Sequence, residues 1–479
     1  MTTIAFGDSG RVSGHPHYEP SLYNCLVEQP GNRLAYNFFS GALADFDAES
    51  WNSFKKILGD PNGEFDDTDS ELRSGMVEAG FLIPAGCDEL RSLRLRHNFF
   101  RLDPTRVYLT ILPTMMCNFA CPYCYQQDQF SGNMTAETEE HVTRFVCGLV
   151  NKSSHCLKVV WYGGEPLLGL PLIRRFSRSF LGPCQEYDVE YEATVITNGY
   201  LLTGEVASEL GELGVRAAQV TVDGPRRIHD SRRMLKGGGG TFDRIMENLL
   251  EAHKYMAIAV RVNVDAENRD SLEELSTYLR SIGLADNVTV YYERVDPTSK
   301  YKEPCFRNEY EFGAHAVQPY QHMVAEGLNP LLQVSPRDDF CVADKVYGFV
   351  INYDGSVYKC WADLESLEEM RDMRLGHVDG ALDAALFTRW LSMAPWDDPE
   401  CLACKMLPVC LGGCPKAFLF RERNNCERKQ CVLFHDNPEQ YVLLKAVMAR
   451  GQQEGSSSQS ASLPESCTQA SEPQWITLA

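Results

Sequence analysis

The chain has 479 residues, 44% of them hydrophobic, and a formal net charge of −21 from 45 Lys and Arg against 66 Asp and Glu. That length implies more than one domain, at about 150 residues each, with apolar content ample for a large core. The acidic balance argues against nucleic acid or anionic membrane as the main partner, since both demand basic surface. No run approaches the roughly 18 uninterrupted apolar residues of a membrane span. The N-terminus lacks a basic segment followed by an apolar one, so no export signal is expected and the chain reads as cytoplasmic. Its 18 cysteines then point to metal ligation before disulfides.

In chain order, residues 1–19 bear Gly, Ser and His without periodicity and are expected to form a flexible leader. A small α+β unit occupies 20–100. Residues 23–27 and 34–39 read as short strands, a helix follows with Trp51, Phe54 and Leu58, and a second carries Leu72, Met76 and Ala79. An apolar strand at 81–83 closes the unit.

From Arg106 strands and helices alternate. Strands are expected at 107–112, 157–162, 193–197, 217–222, 258–264 and 288–293, with helices such as 201–213, 242–253 and 272–282 between them. Repeated βα units imply an α/β fold with a parallel sheet and right-handed crossovers. Cys117, Cys121 and Cys124 follow the first strand at C-x3-C-x2-C spacing. Three thiolates so placed hold three corners of one iron–sulfur cube and leave the fourth iron open, whereas most clusters have four cysteines. A zinc site would want a fourth ligand nearby. His141 and Cys147, the nearest downstream, fall in a helix whose apolar face is Val142, Phe145, Val146, Leu149 and Val150.

The second strand ends Gly163-Gly164-Glu165-Pro166, where glycines let backbone approach a ligand and Glu165 offers acceptors to an ammonium. The third ends Thr197-Asn198-Gly199, which also suits a plain turn. The fourth ends Asp223-Gly224-Pro225 and runs into His229-Asp230-Ser231-Arg232-Arg233. A guanidinium fork matches a carboxylate; Arg233 suits that task, and Arg232 reads as a solvated surface charge. The glycine run 237–240 reads as a flexible turn, without the context of a phosphate loop.

The cysteine triad, with Tyr123 before its last member, resembles the signature of the radical S-adenosylmethionine (SAM) enzymes. The resemblance implies a partial (β/α)6 TIM-like barrel over 104–310, with chemistry at the C-terminal strand ends. It implies a 4Fe–4S cluster on Cys117, Cys121 and Cys124 whose open iron is chelated by SAM, and a 5′-deoxyadenosyl radical that abstracts a substrate hydrogen. An electron donor such as flavodoxin or ferredoxin is implied with it. By the same resemblance Tyr123, Gly163, Gly164, Glu165, Pro166, Asn198 and Arg233 contact SAM, with Asn198 near the ribose, and Asn263 matches a further family position. In arrangement and position the 20–100 unit resembles the winged-helix-like precursor-recognition modules of peptide-modifying members. Its strands at 23–27 or 34–39 are expected to offer an edge to a peptide.

Residues 335–450 resemble the SPASM extension, which carries auxiliary 4Fe–4S clusters. The array is Cys341, Cys360, Cys401, Cys404, Cys410, Cys414 and Cys431. By resemblance Cys401, Cys404, Cys410 and Cys431 hold an outer cluster, and Cys341, Cys360 and Cys414 an inner one, making three 4Fe–4S clusters in all. Two zinc ribbons are the competing reading. An eighth ligand is Cys426, a non-cysteine group, or nothing, leaving an open iron. Sulfatase-maturing relatives have a cysteine a few residues after the first and an aspartate after the second. Here Tyr347 stands six beyond Cys341, Trp361 follows Cys360, and Asp363 comes two later. Cys25, Cys87, Cys147, Cys156, Cys184 and Cys305 fit no ligand spacing and are expected to be buried thiols. Residues 451–479, with Cys467, are expected to be disordered.

The function expected from this reading is a maturase that installs a thioether, a carbon–carbon crosslink or another oxidation on a ribosomally made peptide. The alternatives are a sulfatase- or amine-dehydrogenase-type protein maturase and, from another class, an iron–sulfur electron carrier or zinc-binding protein.

Overall fold

The structure, a computed structural model, describes residues 17–126, 132–296, 301, 305–306, 308–332, 341–364, 371–424 and 431–455. Cys426, Cys467, the leader up to residue 16 and the tail beyond 455 lie outside the described residues.

The N-terminal unit begins with β1 (Tyr18–Pro20), then the antiparallel sheet β2 (Asn24–Gln29), β3 (Asn32–Asn37) and β4 (Leu43–Asp45) in the order β2-β3-β4. Pro30 and Gly31 make the β2–β3 turn, and Gly31 takes a φ of +82° that other residues rarely adopt. Helices α1 (Ala48–Gly59) and α2 (Asp67–Glu78) start where the Asp47 and Asp66 side chains accept the Ser50 and Asp69 backbone N–H. Strand β5 (Leu82–Pro84) returns to pair antiparallel with β1. Because strand side chains alternate, Ala35 turns toward a local core with Trp51, Phe54, Ile57 and Met76. Leu34, Tyr36 and Phe38 instead join the main core of the molecule. Ile57 takes the buried position expected of Leu58, which is only partly buried. Strand β3 is the central strand, so the 34–39 segment offers no edge; β2 does.

Helix α3 (Glu89–Arg101), capped by Asp88, has no counterpart among the expected elements. Its buried positions are Leu93, His97 and Arg101, two of them polar, so hydropathy alone hides the helical period.

All six expected barrel strands form: β6 (Arg106–Thr114), β7 (Cys156–Gly163), β8 (Glu190–Thr197), β9 (Val215–Thr221), β10 (Ala257–Val264) and β11 (Val288–Arg294). They pair in sequence order and in parallel. The connecting helices are α4 (Ala136–Leu149), α5 (Leu170–Tyr187), α6 (Gly204–Glu212), α7 (Arg226–Arg232), α8 (Phe242–Ala252) and α9 (Leu272–Ser281). Eight of the nine β6 residues are buried, as expected for a parallel strand covered on both faces. After α10 (Glu309–Ala325), β12 (Asn329–Pro330) extends the sheet beyond β11. At the opposite edge β13 (Gly348–Ile351) pairs in parallel with β6 and continues into β14 (Ser356–Tyr358) and β15 (Gly376–His377), making ten strands among the described residues. The cysteine-rich C-terminal region is thereby hydrogen-bonded to the first barrel strand. Helix Pro438–Gly455 returns to the N-terminal unit, where Tyr441 packs on Tyr36 and Phe38 with ring centroids 5.7 and 6.1 Å apart.

Candidate active site

The C-terminal end of β6 delivers the cysteine loop, and its neighbours clamp it. The Ala120 N–H donates to Met234 O at 2.9 Å, the Lys236 N–H donates to Asn118 O at 2.9 Å, and Phe119 bridges Leu235. The loop is thus paired along one side with the segment after α7. The Phe119 N–H points at Cys117 Sγ, 3.4 Å away. Cys117, Cys121 and Cys124 interact electrostatically as one group. Burial raises all three thiols, Cys121 to about 12, so their thiolate forms need a cation to stabilise them.

Gly163 and Gly164 pack against this loop. A Cβ on Gly163 would lie 2.3 Å from Thr114 O, and one on Gly164 would lie 2.4 and 2.5 Å from Met116 O and Met115 O. Their smallness therefore serves the approach of the cysteine-loop backbone, where the sequence suggested the approach of a ligand. The Glu165 N–H donates to Met116 O at 2.8 Å. The Glu165 carboxylate is fully buried and accepts from Leu167 N, Thr197 Oγ1 and Asn198 N at 3.0, 2.7 and 2.7 Å. It ties the ends of β7 and β8 together, and Pro166 starts the short helical turn beyond it. Asn198 Nδ2 in turn donates to Asn118 Oδ1 at 2.7 Å, bracing the cysteine loop from the third strand.

Tyr123 Oη is the hub of the site. It donates to Asp223 Oδ2 at 2.5 Å and accepts from Arg233 Nη1 at 2.7 Å and Asn263 Nδ2 at 3.3 Å. Arg233 also lies over the Phe119 ring at 5.6 Å. The His229 ring is fully buried, and burial depresses its pKa well below the ordinary value. Its Nδ1 accepts from the Asp223 N–H, which leaves the proton on Nε2, facing Thr241 Oγ1 at 3.1 Å. Thr241 Oγ1 donates onward to Arg233 O at 2.7 Å. Asp230 Oδ1 accepts from the backbone N–H groups of Thr241 and Phe242. The His-Asp pair therefore orders the loop that presents Arg233.

Arg232 corrects the sequence reading. It is 2% exposed, donates through Nη1 to both oxygens of Asp265 at 2.9 Å and through Nε to Asp223 at 3.4 Å, and lies 4.9 Å over the Tyr123 ring. Tyr301 completes the cluster by donating to Asp265 Oδ2 at 2.8 Å. Asp223, Asp265 and Tyr301 were not anticipated; the Asp223-Gly224-Pro225 turn was the one sequence signal for any of them.

Among the C-terminal cysteines, side-chain interactions link Cys341, Cys360 and Cys414 in one set and Cys401, Cys410 and Cys431 in another. Cys341, Cys360 and Cys414 interact with one another electrostatically, and burial raises Cys341 to about 12. Cys431 shares a hydrogen bond with Cys410 and lies within electrostatic reach of Cys401, while Cys404 shares a hydrogen bond with His435. Asp363 is fully buried and accepts from the Cys360 N–H at 3.3 Å. Asp344, three residues after Cys341, meets α3 through His97 Nε2 at 3.1 Å and Arg101 Nε at 3.0 Å. Among the described residues no three His, Cys, Asp or Glu side chains converge as a single metal ion requires; a cubane cluster holds its thiolates farther apart. Of the remaining cysteines Cys25, Cys156 and Cys184 are buried as expected, Cys147 and Cys305 are partly exposed, and Cys87 is exposed. Cys87 lies in the turn between β5 and α3, where nothing covers it.

Residues 111–279 match the Radical SAM superfamily. The matched segment runs from β6 through α9 of the barrel. The chain is 22% identical over 432 residues to the radical SAM cyclopropyl synthase TigE of Paramaledivibacter caminithermalis, covering 82% of this chain and 88% of that one. It is 30% identical over 179 residues to the serine-type anaerobic sulfatase-maturating enzyme of Bacteroides thetaiotaomicron, covering 34% of this chain and 41% of that one. The fold resembles a solved structure of native anSMEcpe with bound AdoMet and Kp18Cys peptide, with TM-score 0.55, 19% identity, and 73% and 99% of the two chains covered.

The residues present fit the implied cofactor. Arg233 Nε is a buried donor without a hydrogen-bond partner, which a carboxylate would satisfy. The three thiols, raised by burial, would be stabilised as thiolates by a cationic iron–sulfur core.

Proposed function

We propose that this radical SAM enzyme is a peptide maturase that uses two auxiliary clusters. The observation that supports the reading is that distant C-terminal cysteines come together in two sets, Cys341 with Cys360 and Cys414 and Cys431 with Cys410 and Cys401, in a region whose β13 pairs with the strand that bears the cysteine triad. An electron carrier would need no buried open donor such as Arg233 Nε beside the triad, and two separate zinc ribbons no link between Cys341, Cys360 and Cys414. Cys117, Cys121 and Cys124 would hold the SAM-binding cluster. Cys341, Cys360 and Cys414 would hold the inner auxiliary cluster, and Cys401, Cys404, Cys410 and Cys431 the outer one. When bound, SAM and its cluster supply a 5′-deoxyadenosyl radical that takes hydrogen from an unactivated carbon.

The chain's own residues prepare that chemistry. Arg233 presents a guanidinium to the SAM carboxylate, held in place by Tyr123 and the Thr241 hydroxyl. Glu165 and Asn198 fix the loops that face the ribose and amine. Tyr123, flanked by Arg232 and Asp223, walls the cluster from water. Residues 20–100 would act as the precursor-recognition module, with β2 as the edge available to an added strand. Peptides were bound in the anSMEcpe structure, which supports a peptide as the substrate class. Anaerobically reconstituted protein with SAM and a strong reductant is expected to release 5′-deoxyadenosine, and the triple Cys117→Ala, Cys121→Ala, Cys124→Ala variant to release none. Undiminished product from that variant would sink the assignment.

A further inference from the structure

Between the two cluster regions lies a polar patch inside the barrel that the proposed function does not use. Tyr125 and Tyr162 share a hydrogen bond between their hydroxyls at 2.5 Å. The two phenols interact electrostatically with both Cys124, on the SAM side, and Cys360, on the auxiliary side. The Trp361 ring tilts onto Tyr162 with centroids 5.5 Å apart. Arg261 stands beside them, within electrostatic reach of both phenols.

Arg261 lies on β10 two residues before Asn263, so both project from one face of the strand. That face is the inner one, because Asn263 reaches Tyr123 Oη. Arg261 Nε donates to Asn263 Oδ1 at 2.8 Å, which orients the guanidinium. Arg261 Nη1 is buried and has no hydrogen-bond partner. Gln126 Nε2, next in sequence to Tyr125, is a second buried donor without a partner. A guanidinium never loses its charge, and a buried donor left open is destabilising. Tyr291, opposite Arg261 on β11, shares a hydrogen bond with the guanidinium and Glu293 supplies negative charge nearby, yet Nη1 stays without a hydrogen-bond partner. Groups of this kind persist where a ligand completes them.

We infer that Arg261 is a specificity residue that anchors a carboxylate of the peptide substrate beside the Tyr125–Tyr162 pair, between the two cluster regions. This rests on the peptide-maturase reading and adds to it the substrate's chemistry. The anchor is either an Asp or Glu side chain or the peptide's free C-terminus. Both offer the planar oxygen pair that an arginine fork binds through charge-assisted hydrogen bonds.

The test is affinity selection on reconstituted holoenzyme with SAM, under nitrogen, from two randomised decapeptide libraries, one with free and one with amidated C-termini. Retained peptides are read by mass spectrometry. Enrichment of Asp or Glu at one position in both libraries identifies a side-chain anchor; enrichment confined to the free-carboxylate library identifies the C-terminus. Arg261→Gln is expected to lower that enrichment roughly tenfold, the value of one charge-assisted bond, and Arg261→Lys to restore part of it. Glu293→Gln, which removes the competing negative charge, is expected to sharpen the preference for acids. Iron content and circular dichroism of each variant confirm that it folds. Absence of any acid preference in wild-type enzyme that still makes 5′-deoxyadenosine overturns the inference alone; absence of 5′-deoxyadenosine overturns the function reading beneath it. A raised KM for SAM in Arg261→Gln with unchanged peptide enrichment overturns it too, by assigning Nη1 to the SAM carboxylate.

Discussion

At the scale of single residues, the site holds a buried arginine between buried carboxylates. Arg232 meets Asp223 and Asp265 with 2% of its surface exposed. Arg232→Gln would leave Asp265 inside without the cation it bonds, a change that costs about 3–5 kcal/mol when one partner of a buried pair is removed. Urea unfolding of the holoenzyme measures it, and an unchanged midpoint would restore Arg232 to a surface role. Lys345 is the opposite case. It is 3% exposed, and burial, helped by Arg106, lowers its pKa from 10.5 to about 7. Between those values the unfolded chain carries a proton that the folded chain lacks, so wild-type stability rises with pH across that window. Lys345→Met lacks this slope. Its stability relative to wild type is expected to be most favourable at or below pH 7 and to decline toward pH 10.5. Parallel pH profiles of the two proteins would refute this.

At the scale of elements, two helices join regions that the sequence presents as separate. Helix α3 uses its buried face to hold Asp344 through His97 and Arg101, so the loop after Cys341 leans on the N-terminal unit. Helix Pro438–Gly455 closes the molecule from the other end, with Tyr441 fully buried against Tyr36 and Phe38. Removing a buried aromatic side chain typically costs about 3–5 kcal/mol. Tyr441→Ala is expected to destabilise the protein by about that much and to speed proteolysis within 20–100 before the barrel is cut. Simultaneous cleavage of both regions would show that Tyr441 does not govern their joining. A deletion meant to remove the N-terminal unit has to spare α3, since a cut inside Glu89–Arg101 would divide that helix.

At the scale of the whole molecule, one sheet joins the strand before the cysteine triad to strands of the C-terminal cysteine region. Strand β13 pairs with β6, so the C-terminal cysteine region and the cysteine triad share one hydrogen-bonded frame. Three cubane clusters imply about twelve irons per chain. Iron and sulfide analysis after strictly anaerobic purification is expected to approach that number; zinc in place of iron would favour the binding-protein reading. Among the described residues no helix is long and apolar enough to cross a membrane.

What the sequence determined by itself was local in origin. Alternating βα patterns marked every barrel strand because a strand buried on both faces is a continuous apolar run. Cysteine spacing marked the triad and the C-terminal array because a cluster needs ligands at set intervals. Tertiary structure decided what depended on distant partners. Tyr123 meets Asp223 across 100 residues, and His97 meets Asp344 across 247. Arg232 looked like a surface charge because its carboxylates stand 9 and 33 positions away, and α3 went unseen because two of its buried residues are polar. Whether a charge is solvated or paired is settled by which strand ends converge on it, and chain neighbours carry no record of that.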